Sequence, residues 1–168
     1  RVLFRSLARL RPWLEDATRR KLGHDLKFDM HVLANHGVSL RGTVHDTLLE
    51  SYVIESHKSH ELDNLADRHL SVKTLTSQEV CGKGVGRIGF DQVALDRATA
   101  YAAEHADIAL RLHGALHPQI ANDEKLARIY GDIEMPVMRV LQCIERNGVL
   151  IDCAMLDAQS RELGMKMI

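Results

Sequence analysis

"GHDLKFDMHVLANHGVSLRGTVHDTLLESYVI", residues 23–54, switches between two hydrophobic periodicities, and the switching sets the fold class. "LKFDMHVLANHG" reads as a compact helix, with Leu26, Val32 and Leu33 turned inward and Gly37 at its C-terminal cap. The preceding "KLGHD" is a short strand-like segment broken at Gly23. "LRGTVHDT" carries a second short β segment, after which Asp46 or Thr47 caps the helix "TLLESYVIES". This strand–helix–strand–helix rhythm predicts a piece of an α/β domain.

Outward from that stretch the chain becomes more helical. Leu3, Leu7, Leu10 and Leu14 recur at three- and four-residue steps, predicting a helix over 2–18 with Pro12 as a kink or boundary. "ELDNLADRHL" (61–70) is a short amphipathic helix, and "SVKTLTSQEVCGKGVGRIGF" (71–90) is a loop-rich crossing. Helix resumes at Asp91 and runs to about Leu116, where Pro118 punctuates it. "DEKLARIYGDIEMPVMRVLQCIERNG" (123–148) is a long amphipathic helix, kinked near Pro136 and capped by Gly148. "VLID" (149–152) is a short strand, and helix returns from Ala154.

Composition narrows the function classes. At 45% apolar residues the chain is not wholly disordered, and with 4% aromatics its interior must be aliphatic. A net charge of −1 carries no basic signature, so any nucleic-acid contact must be local. Cys81, Cys143 and Cys153 form no CxxC or zinc spacing, which points to a reduced, cytoplasmic setting. No apolar run approaches the ~20 residues of a membrane span. The beginning has no secretory apolar block and no initiating Met, and reads as a piece of something longer.

Several groupings carry chemistry. "HKSH" (His57, His60) and "HGALH" (His113, His117) have spacings compatible with a shared ion, but neither contains the glutamate of HExxH. They read as solvated polar faces. His45–Asp46 resembles the dyad of metal-dependent phosphohydrolases, which needs further ligands on other helices. "GKGVGRIG" lacks GxxxxGK[ST], and no strand precedes it, so it reads as a flexible loop from which Lys83 and Arg87 can touch a phosphate backbone. "TAYAAEHADIALRLH" (99–113) sets Tyr101 and His105 one turn apart on a helix. Two-metal phosphodiester hydrolysis needs several carboxylates holding two ions ~4 Å apart. Asp29 is one candidate, although spacing alone leaves it a capping or solvated residue.

The stretch 23–54, with "HELDNLADRHL", "GKG" before "FDQVALDRATAYAAEHADIALRLH", and "IYGDIEMPVMRVLQCIERNGVLID" in the same order, strongly resembles the family A DNA polymerases. The match covers nearly the whole chain. The resemblance implies the later part of a 3′–5′ proofreading exonuclease domain of ribonuclease H-like fold over 1–131, followed by the start of the polymerase domain over 132–168. The expected fold is therefore α/β, mostly helical with a few short strands, followed by a long helix. The resemblance also implies Mg²⁺ or Mn²⁺, single-stranded 3′ ends of DNA and the rest of the polymerase chain as partners, no membrane, and a cytoplasmic, nucleoid-associated bacterial protein.

Carried over by position, the second-motif aspartate is Asp29, a metal ligand and catalytic residue, and the third-motif tyrosine is Tyr101, which positions the attacking water. Lys27, Phe28 and Asp25 fall in DNA-contacting surroundings. Three departures stand out. The acidic pair of the first motif is expected before Arg1, Asp25 replaces an asparagine, and His105 replaces the metal-binding aspartate four residues after the tyrosine. Mg²⁺ prefers hard oxygen ligands, so a neutral imidazole at 105 is a poor substitute. Asp107 is no rescue, because six residues along a helix rotate it by about 240° from Tyr101. The chain alone is expected to be inactive or impaired as a nuclease. The alternatives are a degenerate exonuclease domain kept as a DNA-binding spacer, or a phosphohydrolase built on His45 and Asp46. Short strands lacking partners would also leave edges to cover.

Overall fold

The computed structural model describes residues 2–167 and is mostly helical, with one small sheet. In order come α1 (Val2–Leu14), β1 (Lys21–Gly23), α2 (Leu26–Asn35), β2 (Thr43–Asp46), α3 (Thr47–Glu55) and α4 (Leu62–Leu65). α4 widens into a π turn over Ala66–Leu70. Then follow α5 (Ser77–Cys81), α6 (Leu95–Ala121), α7 (Glu124–Arg128), a second π turn (Ile129–Glu134), α8 (Met135–Asn147) and α9 (Cys153–Lys166).

β1 and β2 pair in parallel, Leu22 opposite His45 and Gly23 opposite Asp46. Parallel neighbours need a crossover, and α2 supplies it. Asp46 fixes where both neighbouring helices begin. Its carboxylate, in a residue only 2% exposed, accepts the Leu48 N–H at 2.9 Å to cap α3. It also accepts the N–H groups of Leu26 at 2.7 Å and Asp25 at 3.1 Å, at the start of α2. Of the two caps expected for α3, Asp46 is the one used.

The α1–β1 junction is closed by a buried cation. Lys21 donates from Nζ to the carbonyls of Asp16 at 2.8 Å and Arg19 at 2.9 Å, and lies over the Trp13 ring. α1 ends at Leu14 rather than near residue 18, because Asp16 Oδ1 draws the Thr18 N–H and hydroxyl into a local turn. The side chain of Leu3 lies outside the described residues.

α6 is the mast of the fold. Ile108, Leu112, Leu116 and Ile120 recur every four residues, each at most 1% exposed. The upper part of this stripe packs with Leu62, Leu65 and Ala66, and Ile120 packs with Leu26, Tyr130, Met135 and Met138. The helix continues through Pro118 instead of ending near it. The proline costs about 3 kcal/mol in lost hydrogen bonding and crowding. Burying Leu116 and Ile120 returns about 2 kcal/mol each, so packing outweighs the breaker.

Other expectations change for local reasons. Val32 is 41% exposed, lining an open groove with Trp13 and Leu33 rather than turning inward. The stretch 71–90 contains α5, started by a reciprocal cap between Thr76 and Glu79 that the sequence T-x-x-E already carried. Near Pro136 the helix widens into the π turn over Ile129–Glu134. Residues 149–152 form no strand, since Gly148 ends α8 and the side chains of Val149 and Leu150 stand in solvent. Among the described residues no helix is long and apolar enough to cross a membrane.

Candidate active site

α2 and α6 meet across an open cleft of ≈ 600 Å³ whose lining includes His24, Phe28, Asp29, Phe90, Tyr101 and His105. Asp46 sets the start of α2, and Asp25 caps it by accepting the Phe28 N–H at 3.4 Å from a left-handed backbone (φ 58°). Asp29 then falls one turn in, facing α6. On α6 the spacing of four puts the Tyr101 and His105 rings in contact, with centroids 4.0 Å apart. Phe90 closes the same end, 5.7 Å from the Tyr101 ring.

The structure therefore brings Phe28 and Asp29 together with Tyr101 and His105, more than seventy residues on. It sends the other candidates elsewhere. Lys27 turns to α8 and pairs with Glu145 at 2.6 Å, an exposed pair of small energetic weight. Asp25 borders a different cleft, toward α8. Lys83 and Arg87 flank a 3₁₀ turn at Gly84–Gly86 that follows α5 rather than a strand, so no phosphate cradle forms there. Arg87 donates to Ser77 Oγ at 3.4 Å.

Electrostatics mark the cleft as an unfavourable place for charge. Burial pushes the Asp29 carboxyl up to about 6, with Asp25 and Asp46 adding like charge. Burial also pushes His24 down to about 4, and His105 contributes in the same direction. His24 Nδ1 lies 2.9 Å from Thr47 Oγ1, while His105 Nε2 is buried with no hydrogen-bond partner. Sequence reasoning missed His24 and Phe90. His24 sits beside Asp25 at the mouth of a strand, and Phe90 follows the glycine loop, but neither position has a periodicity that marks it.

Because Asp29 holds its proton more tightly folded than unfolded, its stabilising contribution is complete below its ordinary value of 3.8 and is lost as pH rises through about 6. Asp29→Asn is therefore expected to raise Tm at pH 7.5 and leave it unchanged near about pH 4. The residue as a whole is exposed, so solvent screening keeps the gain below about 1 kcal/mol. Thermal melts of both proteins across that range check the sign.

A second constellation lies on the other side of α6. His113 and His117, expected on a solvated polar face, instead converge with His45 from β2 on the fully buried Glu50 of α3. Glu50 Oε1 is 2.7 Å from His113 Nδ1, 3.4 Å from His117 Nδ1 and 3.5 Å from His45 Nδ1. Burial pushes Glu50 up to about 8 against a hydrogen bond from Tyr130, and pushes His45 down to about 4. The His45–Asp46 dyad is split: His45 faces this cluster, whereas Asp46 is spent on three backbone N–H groups. Asp46 therefore has no carboxylate to give a phosphohydrolase metal.

A family model described as 3′–5′ exonuclease matches residues 3–121, the stretch that holds this crossover and this cleft. The chain belongs to that exonuclease family of family A DNA polymerases, a family of enzymes. Its relatives include DNA polymerases I. That of Pseudomonas aeruginosa is 47% identical over 165 residues, covering 96% of this chain and 18% of the relative. That of Rhizobium leguminosarum is 36% identical over 159 residues, covering 94% of this chain and 16% of the relative. Among solved structures, the POL domain of Pol1 from M. smegmatis, in complex with DNA primer-template and dNTP, superposes with a TM-score of 0.74 at 28% identity. That match covers 95% of this chain and 24% of the other. The chain thus spans less than a fifth of the length of these two curated relatives.

Proposed function

We propose that the chain is the exonuclease-bearing portion of a DNA polymerase I-type enzyme, with the exonuclease domain over 1–131 and the start of the polymerase domain over 132–168. Its cleft receives a single-stranded 3′ end of DNA, and on its own residues it does not sustain two-metal hydrolysis. The observation that carries this is the contact between Tyr101 and His105 in a cleft that Asp29 also lines, the one carboxylate among its described lining residues.

A pair of Mg²⁺ ions, which the resemblance to the family implies, sets the requirement on the donors. Mg²⁺ demands near-octahedral oxygen coordination. Asp29 offers oxygen, but His24 and His105 offer nitrogen, and Asp25 is committed to capping on another side. These residues do not fit a pair of Mg²⁺ ions, and Mn²⁺ at His105 still leaves the pair short of carboxylates.

Binding is better provided for than cleavage. Phe28 (61% exposed), Phe90 (48% exposed) and Tyr101 offer ring faces on which unstacked bases can lie. Lys83 and Arg87 stand nearby in sequence on the exposed loop leading to Phe90. Exposed apolar side chains on α9, including Met155, Leu156 and Leu163, support its packing against further polymerase chain. The spacer reading is favoured by one feature, the polar seam joining α2 to α8 through Lys27–Glu145, His31–Glu145 and Arg146–Asn35.

Fluorescence anisotropy with a 3′-labelled oligothymidylate in EDTA tests the binding half. Phe28→Ala and Phe90→Ala are each expected to weaken affinity roughly tenfold, and Arg87→Ala to flatten the salt dependence. Affinity indifferent to all three changes would place DNA elsewhere.

A further inference from the structure

We propose that His45, Glu50, His113 and His117 form a structural site for a zinc-class divalent cation, separate from the exonuclease cleft and clamping β2 and α3 to α6. One ligand atom from each lies within 4.8 Å of every other. All three imidazoles present Nδ1 to the same carboxylate oxygen, and their rings stand 4.2–4.9 Å apart.

Two unsatisfied atoms point to a missing partner. Glu50, fully buried, has Oε2 with no hydrogen-bond partner, and the buried His117 Nδ1 has none either. Native interiors satisfy such atoms, and three imidazoles around one carboxylate are poorly served by one another's protons. A cation at their focus would satisfy the set. In a tetrahedral zinc site, bond lengths of about 2.0–2.1 Å put neighbouring ligand atoms about 3.4 Å apart, which small side-chain rotations reach from the present spread.

The donor set selects the ion. Three nitrogens and one oxygen suit Zn²⁺ or Co²⁺ and not Mg²⁺. All four positions come from protein, which is the pattern of a structural site rather than a catalytic one. Tyr130 supplies an outer partner, its hydroxyl 3.5 Å from both Glu50 Oε1 and His45 Nδ1. An open cleft lined by His45, His117 and Tyr130 gives the ion a route from solvent. Arg20 contacts His45 Nε2 at 3.4 Å, but it is exposed and can turn to water when His45 binds metal. The i,i+4 spacing of His113 and His117 was visible in sequence; His45 and Glu50, over sixty residues away, were supplied by the fold.

The chain carries ten histidines, so the test must separate this site from adventitious binding. Zn²⁺ is titrated calorimetrically into EDTA-treated protein, Co²⁺ binding is followed by visible absorption, and melts are recorded with each ion. The expected result is one equivalent of Zn²⁺, intense tetrahedral-type Co²⁺ bands, and a Tm rise of roughly 5 °C that Mg²⁺ does not reproduce. His117→Ala and the near-isosteric Glu50→Gln should each weaken Zn²⁺ at least about tenfold. His57→Ala, at an exposed histidine, and His105→Ala, in the exonuclease cleft, should leave it unchanged. Should His117→Ala fail to fold, Glu50→Gln decides alone. Equal Zn²⁺ affinity in wild type and Glu50→Gln, or loss of binding in His105→Ala, would overturn the site.

Discussion

Asp46→Ala is expected to lower stability by about 3–5 kcal/mol, enough to bring Tm down by roughly 10 °C or more. The carboxylate holds three N–H groups, of Asp25, Leu26 and Leu48, in a residue only 2% exposed. Removing it leaves donors that water cannot readily reach, at about 1–3 kcal/mol for each one orphaned. Burial pushes the Asp46 carboxyl up, and the backbone N–H groups that face it oppose that shift. Relief of that desolvation offsets part of the loss. Asp46→Asn keeps one acceptor oxygen and should lie between the two. Urea denaturation of the three proteins gives the order, and a fully stable alanine variant would mean that the two helix starts do not depend on this side chain.

Gly42→Ala is expected to cost about 3 kcal/mol or more, for reasons that lie in the backbone. Gly42 has φ +71°, where a side chain is disfavoured, and a Cβ built there would overlap the carbonyl oxygen of Arg19. No rotamer relieves a clash with main chain. The 16–19 segment would have to retreat, loosening the grip of Lys21 Nζ on the carbonyls of Asp16 and Arg19. Since Lys21 is 5% exposed, its ammonium would lose partners it cannot replace from water. Chemical denaturation again measures the loss; a change below about 0.5 kcal/mol would show that this crossing is slack.

Much of this fold was legible because periodicity and capping act locally. α2 and α3 were placed by apolar spacing and capping residues, and the strand–helix–strand–helix rhythm matches the two strands joined across α2. Where the reading failed, a nonlocal balance had decided. Pro118 looked like a stop because sequence shows the breaker and not the buried Leu116 and Ile120 on either side of it. "VLID" looked like a strand because its residues are apolar, yet β structure needs a partner that sequence does not display.

The site divides in the same way. Asp29, Tyr101 and His105 were named by their positions in an ordered set of motifs, and the cleft brings them together. Lys27 could not be foreseen to turn toward Glu145, 118 residues on. Nor could the imidazoles of His113 and His117 be seen to share a buried carboxylate, because a surface histidine pair and a buried one have the same spacing.

In the proposed reading, His105 is the residue on which the function turns. An imidazole in contact with Tyr101 offers no negative charge to a pair of dications beside Asp29. The direct measurement is incubation of the purified chain with 3′-labelled single-stranded DNA, first with Mg²⁺ and then with Mn²⁺. The expected result is mononucleotide release no greater than in EDTA. Sustained release with either ion, abolished by Asp29→Ala, would contradict the proposal that this chain does not sustain two-metal hydrolysis on its own residues.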